Sequence, residues 1–363
     1  MNILVLTPTG HSINSLRPES EIYISLSKAG HNITVMTSKE SKYTPKYIEN
    51  NIEVIDASHK EKISLKTIKK AREIIKQKSI DIVYATSSRT ISNAIFACIG
   101  TKAKLVAYRG TTGGLYRHDP TSYLNILNPR VNGVICVSEA INRHVTKQVF
   151  SPSSKNIITI HKGHDVNWYN QQALDLEEFG TNTKNFNIAF VANVRAHKGL
   201  IYAIKAAHDL ADIKELHILL IGSKISEEPY LSEIENSGMK ERIHLTGYRH
   251  DVPEILAACD LLIHPSIRKE GLPRVVLESI ASGTPVIASE NEGSMEIIDD
   301  GYNGYIVPIK DSKAIADKVR ELYNSPEKLK MLSNNCIKKI ENEMSHKTTV
   351  EKYIKYFESL LEG

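Results

Sequence analysis

Leu261-Leu262-Ile263-His264, then Pro265-Ser266-Ile267-Arg268-Lys269-Glu270-Gly271-Leu272, then Pro273-Arg274-Val275-Val276-Leu277-Glu278, and a little further on Pro285-Val286-Ile287-Ala288, decide the architecture. An apolar run this short, without polar alternation, reads as a strand buried on both faces. Pro273, with its preset φ and missing N–H, suits the first position of a helix. A strand, a loop, a helix and a second apolar strand make one unit of a parallel sheet covered by helices. The same rhythm extends over the chain. Strands are expected at Asn2–Thr7, Asn32–Thr37, Asn51–Ile55, Ile80–Ala85, Ala103–Tyr108 and Gly133–Val137, and again at Asn187–Val191, Glu215–Ile221, Arg242–Thr246 and Tyr305–Val307. Helical periods lie between them at Glu19–Ala29, Leu65–Lys78 and Ile91–Ile99. About a dozen strands in two similar stretches predict two doubly wound domains rather than one eight-unit barrel.

The first domain is expected at residues 1–166 and the second at 167–345, with the polar stretch Asn167–Lys184 as linker. Val350, Tyr353, Ile354, Phe357 and Leu361 form a helical stripe in residues 346–363, so this last segment must dock. A chain of 363 residues with 41% apolar and 24% charged residues is globular and long enough for two domains. The net charge of +4 is too small to imply nucleic-acid binding. No apolar run approaches 18 residues, and Met1–Thr7 reads as a first strand rather than a leader. Cys98, Cys136, Cys259 and Cys336 form no C-x-x-C pair and read as core residues in a reducing, cytoplasmic setting.

Open parallel sheets bind ligands beyond the carboxyl ends of their strands, so the loops there are the candidates. Thr7-Pro8-Thr9-Gly10-His11 lacks the later glycines of a dinucleotide fingerprint, and no P-loop occurs, but Gly10 permits close backbone approach and His11 would line the site. Its helix is expected near Pro18. Arg195 and Lys198, where a strand meets a helix, suit an anion. Glu270 and Glu278 offer acceptor oxygens to a diol from two elements, and Gly271, Leu272 and Pro273 present backbone between them. A nucleotide sugar, with hydroxyls at both ends and phosphate between, fits that description.

The chain resembles the family 4 retaining glycosyltransferases of the GT-B fold (bacterial-type, group 1). The likeness rests on Gly247–Asp260, Pro265-Ser266, Glu270–Ser279, Ser282–Ala288 and Asp300–Pro308, with Lys198-Gly199, Val137–Ala140 and Gly30–Val35 in the same order. Such an ordered set over about 300 residues is highly specific. The resemblance implies two Rossmann-like domains facing a cleft. The first, joined by the last helix crossing back, would take the acceptor, and the second would take the donor. Glu270 would hold donor-sugar hydroxyls, Glu278 the ribose diol, and Lys198 the diphosphate, with Gly247, Tyr248 and Arg249 near the base. The donor set is thus Gly10, His11, Arg109, Arg195, Lys198, Gly247, Tyr248, Glu270, Gly271, Leu272, Pro273 and Glu278, with Glu270, Lys198 and Arg195 as the catalytic group. The implied reaction moves a hexose from a UDP- or GDP-sugar to a glycan or glycolipid acceptor in surface polysaccharide, lipopolysaccharide or glycolipid synthesis.

Two positions depart from the family pattern. Asn193 stands where a phosphate-binding arginine is common, leaving Arg195 as the nearest cation. Arg109 stands where a histidine is common, and being always charged it cannot act as a base; an anion in the cleft or a structural ion pair would each suit it. No Asp-x-Asp pair offers a metal clamp, so neither metal nor cofactor is expected and cations with helix-end N–H groups would serve instead. Glycoside hydrolysis, the other use of paired carboxylates, is disfavoured by the motif context. His161-x-x-His164-Asp165 reads as a loop rather than a metal site, and His264 as a packed strand residue. Lys60–Lys78 belongs to a stretch, His59–Lys78, with eight Lys or Arg against two Glu. With Ile68, Ala71 and Ile75 facing a core, its lysines form an outer face suited to peripheral contact with an anionic inner membrane surface. The competing functional reading is a non-catalytic sugar-nucleotide-binding partner subunit with the same fold.

Overall fold

The computed structural model describes residues 1–9, 13–57, 61–150, 156–169, 173–193, 195–268 and 270–362. The chain forms two units, Met1–Gly163 with His346–Gly363, and His164–Ser345. The first unit is built on a seven-stranded sheet. Its strands are β1 (Asn2–Leu6), β2 (Asn32–Thr37), β3 (Glu53–Asp56), β4 (Ile82–Ala85), β5 (Lys104–Arg109), β6 (Val131–Cys136) and β7 (Asn156–Thr159), in the order β3-β2-β1-β4-β5-β6-β7. The second unit holds β8 (Phe186–Val191), β9 (Leu216–Ile221), β10 (Ile243–Gly247), β11 (Leu261–His264), β12 (Val286–Ser289) and β13 (Gly304–Val307), in the order β10-β9-β8-β11-β12-β13. Every pairing is parallel. Both units are doubly wound α/β structures.

Burial on both faces explains the absence of alternation in the strands. In β11, Ile263 joins one apolar cluster with Ile188 and Ile218, whereas Leu262 joins another with Ala189 and Leu219 on the opposite face. The central register sets Leu262 against Ala189 of β8 and Val286 of β12. Strand order reverses between β8 and β11, which opens a crevice at their carboxyl ends. The first sheet has its equivalent between β1 and β4, where Thr86 Oγ1 donates to Thr7 Oγ1 at 3.0 Å.

Several elements differ from expectation for identifiable reasons. β7 carries only two apolar residues, lies at the sheet edge and is partly exposed, so its sequence gives little strand signal. The first helix runs Ile13–Lys28 with Pro18 inside it, because burial of Ile22, Tyr23 and Leu26 outweighs the missing N–H. Asn167–Lys184 is not a free linker: Tyr169 and Leu176 are buried in the second unit's core. In helix Leu65–Gln77 the buried residues are Thr67, Ala71, Ile74 and Ile75, with Ile68 only partly covered. The last helix, His346–Glu362, packs on the first unit through Val350, Tyr353, Tyr356, Phe357 and Leu360. Leu361 faces out, one step beyond the stripe. Tyr353 shares a 2.9 Å hydroxyl contact with Tyr84, and Thr349 Oγ1 bridges His161 O and Gly163 N at 2.9 Å each. All four cysteines are buried and unpaired. Among the described residues, no helix is long and apolar enough to cross a membrane.

Candidate active site

The crevice between β8 and β11 collects the charged loops. After β8 the chain passes Asn193 and Arg195 into a single tight turn, Ala196–Lys198, closed by Gly199 at φ 73°. A Cβ on Gly199 would lie 2.0 Å from the carbonyl oxygen of Pro265, so only glycine lets the two loops touch. Ile267 N donates to His197 O at 2.8 Å and ties them further. Gly293 supports the second loop from below; a side chain there would meet Gly271 O at 2.8 Å and Glu270 O at 2.9 Å. Asn291 Nδ2 reaches Ser266 O at 3.3 Å and Ser289 O at 3.1 Å. Ser266 and Ile267 are therefore held from two sides, by the Asn291 amide and by the His197 carbonyl.

Lys198 Nζ lies 2.7 Å from Glu270 Oε1, and Ser266 Oγ donates to the same oxygen at 2.7 Å. Glu270 Oε2 accepts no hydrogen bond among the described residues. The Glu270 side chain is 8% exposed and that of Lys198 27%. Burial pushes the Glu270 carboxyl up, but nearby His264 and Lys198 and the hydrogen bonds from Lys198 and Ser266 outweigh it, leaving the carboxyl below its usual range. His264 Nε2 stands 3.7 Å from Oε1, and burial, aided by the Lys198 charge, holds its imidazole at about 4. The ring is uncharged at neutral pH, where Lys198 and Ser266 are what keep Glu270 ionised.

Pro273 stands one residue before the helix, as its cap, and the helix runs Arg274–Ala281. Glu278 is buried on it, with Arg274 Nε 3.1 Å from Oε1. Gly271 and Pro273 are buried and Leu272 half-buried. Arg195 is exposed, and its guanidinium has no ion pair among the described residues. Asn193 Oδ1 accepts from Ser223 Oγ at 3.0 Å. Gly247, at φ 69°, and Tyr248 are exposed at the end of β10, and Tyr248 meets His250 edge-on at 5.0 Å. Arg249 is bound by Asp251 and Glu178.

In the first unit, Arg109 closes β5. Its Nε donates to Thr111 O at 2.7 Å and its Nη2 to Gly113 O, so the guanidinium braces its own glycine-rich loop and meets carbonyls rather than a carboxylate. Gly10 and His11 lie outside the described residues. His164 is a buried ring stacked on Tyr169 at 5.9 Å. His264 is buried at the end of β11, as the packed strand residue the sequence suggested; sequence reading gave neither Ser266, although it noted the Pro-Ser pair, nor Gly293 a part in the site.

The donor-side loops and the ordered motifs find their match in two family models, glycosyltransferase family 4 over residues 21–168 and glycosyl transferases group 1 over residues 171–339. The chain belongs to the family 4, group 1 glycosyltransferases. Its relatives in this family include EpsD of Bacillus subtilis, 34% identical over 152 residues, which are 42% of this chain and 40% of EpsD. The N,N'-diacetylbacillosaminyl-diphospho-undecaprenol alpha-1,3-N-acetylgalactosaminyltransferase of Campylobacter jejuni is 33% identical over 41% of this chain and 39% of its own. The chain thus spans about two fifths of the length of these curated relatives. Among solved structures, Anabaena Alr3699/HepE in complex with UDP matches 99% of this chain and 100% of its own at a TM-score of 0.78 and 21% identity. HepE has also been solved with UDP-glucose. The shared architecture is GT-B.

Proposed function

We propose that this chain is a retaining, metal-independent glycosyltransferase that moves a hexose-type sugar from a UDP- or GDP-linked donor to an acceptor hydroxyl. The observation that carries the reading is the Lys198–Glu270 pair at the crevice of the second sheet, with Glu278 on the helix that follows. A donor diphosphate would draw Lys198 away from Glu270, aided by Arg195. Glu270 Oε2 would accept a sugar hydroxyl, Glu278 the ribose diol, and the Gly271–Pro273 backbone would lie along sugar and phosphate. Gly247 and Tyr248 would border the base, and the second unit would be the donor domain. In the transfer, the bond from the anomeric carbon to the diphosphate oxygen breaks and one to the acceptor oxygen forms on the same face. The acceptor proton passes to the departing diphosphate, so no side-chain base is required. Lys198 and Arg195 would stabilise the charge that develops there, in place of a metal.

The first unit would take a glycan or glycolipid acceptor, in keeping with the undecaprenol-linked name of the Campylobacter relative. Lys62, Lys66 and Lys69 are exposed beside Ile63 and Leu65, which are 43% and 82% exposed. That mixture supports peripheral contact of the Lys60–Lys78 segment with an anionic membrane from the cytoplasmic side. A non-catalytic partner subunit is the second reading, favoured by Asn193 in place of a cation.

A panel of UDP- and GDP-sugars, read by thermal shift and then by donor hydrolysis without acceptor, tests the proposal. A ligand that binds native protein raises the melting temperature by mass action. Stabilisation with slow hydrolysis is expected; stabilisation with no turnover under any acceptor would select the partner subunit. No stabilisation by any nucleotide sugar would overturn both.

A further inference from the structure

His264 stands beside the Glu270 carboxylate, and its Nε2 takes no hydrogen bond among the described residues. It ends β11, with its backbone held in register with Ala288 of β12. Its side chain is 5% exposed, and Nε2 is a buried polar atom with no hydrogen-bond partner among the described residues. A buried nitrogen left unpaired is costly and calls for a reason. Glu270 Oε1 stands 3.7 Å from it, beyond hydrogen-bonding range by less than about 1 Å. That oxygen already takes Lys198 and Ser266 at 2.7 Å each.

Donor binding changes this balance. Once Lys198 serves a diphosphate, Glu270 keeps only Ser266, and a carboxylate 8% exposed is left short of donors. We infer that His264 is a positioning residue for Glu270, closing its Nε2–H onto Oε1 as Lys198 departs, so that Oε2 stays aimed at the sugar hydroxyl. The inference rests on the donor-site reading above. It requires the imidazole proton on Nε2, and a ring uncharged near neutrality, which burial ensures, so that it does not compete with Lys198 for the phosphate.

The test needs no identified donor. The full chain, labelled with ¹⁵N-histidine, is compared by imidazole NMR as wild type, Lys198→Met, Lys198→Gln, and Lys198→Met combined with Glu270→Gln. Loss of one signal in His264→Gln assigns the ring. Removing the lysine should place the proton on Nε2, with its proton resonance downfield and slow to exchange, and the double variant should lose this signature. A proton on Nδ1, or an Nε2–H signal unmoved in both lysine variants, would overturn the assignment. Wild-type protein is then titrated with UDP, GDP and inorganic pyrophosphate. A diphosphate that binds should reproduce the lysine-variant spectrum; one that binds and leaves the ring unchanged also overturns it. Failure of all three to bind contradicts the donor-site reading instead, while the lysine variants still judge His264 independently.

Discussion

Each unit contains a Lys–Glu pair shielded from water, and the two are used differently. In the first unit, Glu19 on the helix Ile13–Lys28 meets Lys162, which follows β7. Both carboxylate oxygens are taken: Oε2 by Lys162 and Oε1 by the Tyr23 hydroxyl at 2.7 Å. The Lys162 ammonium lies 4.1 Å over the Tyr108 ring. Burial alone would lower its pKa, yet Glu19 and Tyr108 raise it above the usual lysine value. In the second unit, both donors crowd Oε1 of Glu270, and Oε2 has none among the described residues. A pair whose hydrogen-bonding capacity is filled from inside the protein holds elements together. A pair that leaves one oxygen unserved and its ammonium partly exposed can exchange partners with a ligand.

The difference is open to direct attack. Lys162→Met strands a shielded carboxylate and should cost about 3–5 kcal/mol in urea unfolding. Lys198→Met should cost less, about 1–3 kcal/mol, since Glu270 keeps Ser266 and gains His264 Nε2, 3.7 Å away, whereas Glu19 keeps Tyr23 alone. Equal losses would erase the contrast.

Acid should strain the second site next. The folded His264 refuses a proton until pH falls to about 4, whereas the unfolded ring accepts one near 6.5. The unfolded state therefore binds more protons between those values, and stability present above pH 6.5 is lost progressively down to about pH 4. The share from His264 is on the order of 3 kcal/mol, so His264→Phe should flatten the pH dependence of unfolding by roughly that amount across the window. Unchanged slopes would show that the ring is not shielded as described. Gly199→Ala should follow, at about 1–3 kcal/mol of backbone strain, and should weaken nucleotide binding as Pro265 is pushed away. The smallest expected effect is none: once transfer is assayed, excess EDTA should leave activity intact. Loss restored by magnesium or manganese would break the account of a cation that needs no metal.

Much of the fold was readable because unbroken apolar runs such as Leu261–Ile263 admit only a strand covered on both faces. The short edge strand Asn156–Thr159 escaped, having too few apolar residues to stand out, and Pro18 misled because tertiary burial of Tyr23 and Leu26 is invisible locally. The reading named Glu270, Glu278 and Lys198 from their types and places after strands. It did not yield the direct ion pair, since residues 72 apart meet only through the strand order. Nor could it find Gly293 beneath the Glu270 loop, or tell a packed histidine from one with an idle nitrogen.

Calorimetry of UDP and GDP binding to wild type, Lys198→Ala and Glu278→Ala tests the central claim most directly. Each substitution removes a charge-assisted contact and should weaken the bound nucleotide by about 1.5–3 kcal/mol, roughly tenfold to more than a hundredfold in affinity. Unchanged nucleotide affinity in both variants would place the donor elsewhere and contradict the site.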